Sequence, residues 1–337
     1  VKARDAAQAA IAQPNEAYTK LTPIYPTTST GRRLALAKFI SSKENPLTAR
    51  VAINHIWLRH FGTPLVPSVF DFGLNGKQPT NQPLLDWLAV ELMENGWSQK
   101  HIHRLIVTSR TYRLASSRGT GDRGQEAGDS NTTIDPENKY YWRQNPRRME
   151  AEIVRDATLY VAGSLDKTMS GPDIDQNTGL TSNRRSIYFR STKEKKMQFL
   201  SLFDSANVVE CYRRSESIAP QQALAMANSS LTLAQARLLA KTITAAVTAA
   251  NPPQEQADVK FVQDSFARIL NRPPSSEEQA TCASFLSEQA TRLSAANLSP
   301  FTAGPAATVP PSSDPKQRAR ENLVHVLLNH NDFLTIR

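Results

Sequence analysis

The stretch GWSQKHIHRLIVTSRTYR, residues 96–113, holds two of the chain's six histidines and reads either as a metal site or as a helix lying on a core. Geometry chooses between them. Ser98 stands where a helix N-cap belongs, and Ile102, Leu105, Ile106 and Ser109 follow at helical spacing. Residues two apart on an α-helix lie about 200° apart around its axis. His101 and His103 therefore flank the apolar stripe on opposite sides and cannot share a metal. The stretch predicts a core helix with one candidate functional histidine, His103.

The same punctuation recurs in both directions. In NPLTARVAINHIWLRHFG (45–62), Asn45 caps, Pro46 takes the first helical position and Gly62 stops the run, with Leu47, Val51, Asn54 and Leu58 at three- and four-residue steps. NQPLLDWLAVELMENG (81–96) offers Asn81 as cap and Leu84, Leu85, Trp87, Leu88 and Leu92 as its apolar set. GRRLALAKFISS (31–42) places Leu34, Ala37 and Ile40 on one face. NPRRMEAEIVRDATLYVAG (145–163) repeats the Asn-Pro start, with Met149, Ile153 and Tyr160 near one face. From Ala219 onward the pattern is helical again, and Ser275 with Glu278 has capping-box spacing. Only RRSIYFRS (184–191) alternates like a strand, with Ile187 and Phe189 on one side.

The predicted fold is mainly α and helical-bundle-like, with at most a small β element near residues 185–190. LTPIYPTTST closes a connector over residues 1–30. A main helical domain follows over 31–250, interrupted by a mobile glycine-rich loop near 116–134, and then a C-terminal helical subdomain over 251–337.

Composition narrows the function classes. Lys plus Arg total 40 against 31 for Asp plus Glu in 337 residues, a net charge of +9. That balance favours anionic partners, although a scattered basic surface is also ordinary solubilisation. No Lys/Arg block of the length of a nucleic-acid tail occurs. The two cysteines, Cys211 and Cys282, form no CxxC and no haem attachment motif, so the sequence predicts no cofactor in this chain. No apolar run approaches the ~18 residues that cross a bilayer. VKARDAAQAAIAQ lacks the apolar core of a signal peptide, and the chain reads as a piece of a longer protein.

Glu152 and Asp156 are four apart, so both carboxylates face one way, as acid/base hydrolysis of a glycosidic bond requires. With His103 they form the catalytic candidates. Arg148 lies four before Glu152 and Arg155 adjoins Asp156, and a ladder of ion pairs is the commoner outcome of such spacing. Cys211, two residues before Arg213, has cations that lower a thiol's pKa but no local base; a structural role, or pairing with Cys282, is the simpler reading. FDFG (70–73) resembles a kinase triplet in letters alone and reads as a turn anchored by Phe70 and Phe72. The basic middle interleaves arginine with aromatics. Arg104, Trp142, Arg148, Arg184, Arg185, Tyr188, Arg213 and Arg214 are its candidates for gripping an anion with a stackable face.

Taken in order, several stretches carry a family likeness: residues 31–62, FDFGLNGKQPTN with the helix after it, DPENKYYWRQNPRRMEAEIVRDATLYVAGSLD, RRSIYFR, FDSANVVECYRRSESIAPQQALAMANS and the closing LLNHNDFL. Together they resemble the planctomycete-type domain of unknown function found at the C-terminal end of large secreted proteins. The likeness runs from about residue 31 to the end. It implies an extracytoplasmic setting, periplasmic or secreted, and other domains of the same polypeptide as partners, among them a cytochrome c-like domain carrying the haem. In that setting an anionic polysaccharide is a more accessible partner than nucleic acid. Where the family has Leu-His-Arg this chain has Ile102, His103 and Arg104, and it departs from the pattern at His55, where the family usually has arginine. The leading expectation is a binding or assembly module; the rival is a polysaccharide-acting enzyme with a carboxylate/His site.

Overall fold

Two apolar clusters organise the computed structural model, which describes residues 2–11, 28–116, 130–209, 212, 214, 217–296 and 308–336. The protein is mainly α, as the periodicity predicts. In chain order the helices are α1 (Lys2–Ile11), α2 (Arg32–Ile40), α3 (Thr48–Phe61), α4 (Gln82–Glu94), α5 (Gln99–Thr108), α6 (Ser130–Ile134), α7 (Ala151–Val161) and α8 (Gln198–Leu202). There follow α9 (Pro220–Asn228), α10 (Ser230–Ala250), α11 (Gln254–Leu270), α12 (Ser276–Ala295), α13 (Pro315–Leu328) and α14 (Asn331–Leu334). Among the described residues the one sheet is a two-residue ladder, β1 (Arg147–Arg148) antiparallel to β2 (Thr335–Ile336).

The first cluster joins α3, α4 and α5. Asn45 Oδ1 accepts from the Leu47 and Thr48 N–H groups, so the predicted cap holds, and Gly62 ends α3 at φ 75°. The buried face of α3 is Ile53, Ile56, Trp57 and Phe61, and Leu47 stays exposed. Of the predicted stripe, Asn54 is fully buried, Val51 and Leu58 are half-buried and Leu47 is exposed. Asn54 donates to Val66 O at 3.1 Å and accepts from Val66 N at 2.8 Å, fastening the following loop as a strand partner would. Asn81 caps α4 by accepting from Leu84 N, and Ser98 caps α5 by accepting from His101 N. Ile102 and Ile106 are buried, as the opening stretch predicts. Trp87 faces solvent and so does Phe70, whereas Phe72 packs against the cluster as expected; Asp71 Oδ1, accepting from Gly73 N, closes the FDFG turn.

The second cluster draws on residues 151–334, from α7 through α14, on both sides of position 250. The 21-residue α10 lies at its centre, packed by α13, α11, α9 and α7. The Ser275–Glu278 capping box forms at α12 as predicted.

Several local expectations differ. The strand expected over RRSIYFRS is a 3-10 turn, Ser186–Tyr188, flanked by isolated bridges Asp166↔Arg184 and Ile174↔Phe189; Ile187 is exposed and Phe189 buried. Residues 117–129 of the glycine-rich segment lie outside the described residues, and its end, expected as loop, is α6. Neither α1 nor α2 has a buried residue, so Leu34 and Ile40 do not form a core face.

Candidate functional site

The site is built outward from the start of α7. The β1–β2 ladder, extended by Met149 N donating to Leu334 O at 2.8 Å, fixes how the chain enters that helix. α7 then buries Ala151, Val154, Arg155, Thr158 and Leu159. This is the opposite choice from the Met149/Ile153/Tyr160 face that periodicity suggests. Ile153 and Tyr160 are exposed, and with Glu152 and Asp156 they line a cavity of about 760 Å³. Its other walls come from Leu165–Met169, Arg185–Ser191 and Lys196–Leu200, closed by Arg214.

Arg155 explains both the choice of face and the loop opposite it. Its side chain is fully buried, yet the guanidinium is saturated: it donates to the carbonyls of Gly179 (2.9 Å), Arg184 (2.8 Å) and Ser182, and to Ser186 Oγ (3.3 Å). Its Cζ lies 4.7 Å from the centre of the Phe189 ring. Burial pulls the pKa down to about 10, against the pull of neighbouring Asp156, which keeps the group charged at neutral pH. Asp156 works beside it. Asp156 Oδ1 accepts from Ser186 N (2.8 Å) and Ser186 Oγ (2.6 Å), and Oδ2 lies 3.7 Å from Arg185 Nε. Backbone groups that a strand would pair across a ladder are here paired with side chains of α7, which is why residues 184–190 turn.

At the helix's first turn, Glu150 is paired with Arg59 and lies 3.5 Å from Arg214, while Glu152 Oε1 lies 3.3 Å from Arg214. Glu152 Oε2 is buried with no hydrogen-bond partner among the described residues. At the mouth, Lys167 Nζ lies 4.8 Å from the centre of the Tyr160 ring, and neither it nor Lys196 has a carboxylate partner among the described residues. Arg190 is held by Asp173 and by Asp175 at 3.8 Å, and the guanidinium keeps the Asp173 carboxyl below its usual range.

The PSD1 family model, described as a protein of unknown function (DUF1553), matches residues 32–286. The chain belongs to this family. No curated protein and no solved structure matches it. The interval matched in the PSD1 chain contains all of α7 and every wall of the cavity.

The structure gathers part of the predicted site. Glu152, Asp156, Arg185 and Arg214 share the cavity, and Arg148 lines an adjoining cleft. Arg184 and Tyr188 pack on each other at 4.4 Å just outside; Arg184 donates to Ser170 O and Tyr188 Oη accepts from Ser170 N, so the pair pins the loop before the cavity wall. Trp142 donates to Asp135 O elsewhere, and Arg104 is exposed on α5. His103 stands apart from the carboxylates. Its Nδ1 lies 2.7 Å from His60 Nε2, beside Tyr112, and it lines no wall of the cavity. His101 meets Glu91 at 2.6 Å, so the two histidines do diverge as the 200° argument requires. No cluster suited to a metal occurs among the described residues. Arg213 and Cys211 lie outside the described residues, while the Cys282 thiol is pushed up by burial.

Sequence reasoning missed Lys167 and the burial of Arg155, and it reads Glu150 only as an ion-pair partner and Lys196 only as part of the basic middle. Arg155 was treated as a surface partner of Asp156 because a buried arginine is rare without a ring of carbonyls, and nothing local in sequence announces such a ring. Lys196, in the run KEKK, left a compositional trace; Lys167 left none.

Proposed function

We propose that this PSD1 domain is a binding module whose cavity takes an anionic saccharide. One observation carries the reading: an apolar rim and unpaired cations share the mouth of a single ligand-sized cavity. About 760 Å³ lies within the range of small-ligand sites, roughly 300–1,000 Å³. Tyr160, Ile153 and Ile187 offer the apolar surface on which a sugar ring lies, and Lys167 and Lys196 offer charge to a carboxylate or sulfate on that ring. Deeper in, the fixed Asp156–Arg185 and Glu152–Arg214 pairs supply acceptors and donors for hydroxyls.

A second reading, hydrolysis, is favoured by Glu152 alone, since it lines the cavity with a buried carboxylate oxygen that has no partner among the described residues and is left for a bound ligand. The wider setting rests on the sequence resemblance: an extracytoplasmic domain assembled with other domains of a larger secreted polypeptide, a cytochrome c-like domain among them. For the chain itself, no helix among the described residues is long and apolar enough to cross a membrane.

Calorimetric titration with uronic-acid, sulfated and neutral oligosaccharides, with chromatography of the same samples, tests both readings. Charged oligosaccharide is expected to bind, with affinity falling about tenfold in a Lys167→Ala/Lys196→Ala variant. Equal binding of neutral and charged sugars, or none of either, overturns the proposal. Released product that disappears in Glu152→Gln puts hydrolysis in its place.

A further inference from the structure

A second concavity, about 400 Å³, lies where the end of α3 meets β1 and the start of α9, and it shares Glu150 and Arg214 with the cavity. Four guanidinium groups line it, those of Arg59, Arg147, Arg148 and Arg214, against two carboxylates, Glu150 and Asp204. The carboxylates are already engaged. Glu150 takes both Arg59 and Arg214, and Asp204 Oδ2 accepts from Ser217 N (2.7 Å) and Ser217 Oγ (2.8 Å).

Donors are left over. Arg147 Nε and Arg214 Nε are buried with no acceptor among the described residues, although Arg147 also donates to Arg59 O and Arg214 also meets Glu150 and Glu152. Arg148 is half-buried and makes no side-chain ion pair or hydrogen bond with the described residues. Beside them one acceptor is left over as well. Gln222 is 3% exposed, its Nε2 donates to Ser217 O and Ser217 Oγ at 3.2 Å each, and its Oε1 is buried without a donor among the described residues.

Buried charged donors and a buried amide oxygen left without partners are rare unless a bound group completes them. We propose that this cleft is an oxyanion site, in which Arg147, Arg148 and Arg214 hold the anion and Gln222 Oε1 accepts from a hydroxyl borne on or next to it. Hydrogen phosphate carries both features in one group, and a uronic acid carries them as a carboxylate and its neighbouring hydroxyl. Guanidinium groups suit either, because their paired N–H groups match two oxygens of one anion. The site does not depend on a saccharide entering the larger cavity.

The test is calorimetric titration of the full chain with inorganic phosphate, and separately with glucuronate, at constant ionic strength. Saturable binding of one molecule per chain is expected for at least one of them. Arg148→Ala should weaken it about tenfold while leaving the melting temperature of the unliganded protein in place. The Lys167→Ala/Lys196→Ala variant should bind phosphate as the wild type does, because neither lysine lines this cleft, which separates the site from the larger cavity. Phosphate binding identifies a free or esterified phosphate as the source, and binding of glucuronate alone identifies a sugar carboxylate. Binding of neither, or equal affinity in Arg148→Ala, overturns the proposal.

Discussion

Arg155 and Asp156, neighbours on α7, hold one loop from opposite sides: the guanidinium collects the carbonyls of Gly179, Ser182 and Arg184, and the carboxylate collects the N–H and hydroxyl of Ser186. The loop is the cavity's wall, so the shape of the candidate site is set by two charged residues of which only one faces it.

Arg155→Met keeps much of the side-chain volume and removes the donors. The buried carbonyl of Gly179 and the half-buried ones of Ser182 and Arg184 then lose their charged partner, and uncompensated groups of this kind bring losses of about 3–5 kcal/mol. Urea unfolding is the measurement. A loss below about 1 kcal/mol would mean the loop holds its shape without Arg155.

Asp156→Asn separates positioning from proton transfer. An asparagine Oδ1 still accepts from Ser186 N and Oγ, so the variant should lie within about 1 kcal/mol of wild type and bind ligand as before. Asp156→Ala, which leaves Ser186 unpaired, should lose about 1–3 kcal/mol. An Asp156→Asn protein that is stable and binds, yet loses a turnover shown by wild type, would move Asp156 from positioning to catalysis.

Helix existence was legible because caps and stops are local. Asn81, Ser98, Gly62 and the Ser275–Glu278 box each act within four residues, and each forms as spaced. Which face a helix buries was less legible. Arg155 is buried through partners 24–31 residues away, so a count of apolar positions turns α7 the wrong way, whereas on α3 the stripe rightly includes the buried Asn54 and errs at Leu47, which is exposed. The same cause limited the site. The carboxylate pair on α7 was readable from i, i+4 spacing, whereas its company in Lys167, Arg185, Lys196 and Arg214 depends on a loop fold set by Arg155. His103 stands out in sequence through the family's Leu-His-Arg position, but its partner His60, 43 residues away on α3, could not be inferred from spacing.

That histidine pair predicts a pH dependence. Burial, then His103, then Arg147 lower the pKa of His60 below 6.5, so the native state binds fewer protons there than the unfolded chain. Its contribution is present above pH 6.5 and is lost as pH falls from 6.5 through the lower native value. His55 and His325, also lowered chiefly by burial, act in the same direction. Urea midpoints at pH 7.5 and 5.5 should fall for the wild type and fall less for His60→Gln. An equal fall in both removes His60 from the account.

Glu278 predicts the acid limb. It accepts from Ser275 N at 2.8 Å in the capping box and from both terminal nitrogens of Arg272 at 2.7 and 2.8 Å, and Arg272 also reaches Asp332 at 3.0 Å, which ties the start of α12 to α14. Arg272 above all holds the Glu278 carboxyl down at about 2, from 4.5, with the Ser275 bonds adding to it against partial burial. A carboxylate depressed in the native state contributes stability that is whole above about pH 4.5 and lost as pH falls to about 2. Because the pair is partly open to water, Glu278→Gln should cost roughly 1 kcal/mol at pH 7. The difference between variant and wild type should narrow at pH 4 and fall to a small remainder by pH 2.5, read by urea unfolding at each pH. A difference that persists unchanged at pH 2.5 would show that Glu278 acts through its shape in the cap and not through its charge.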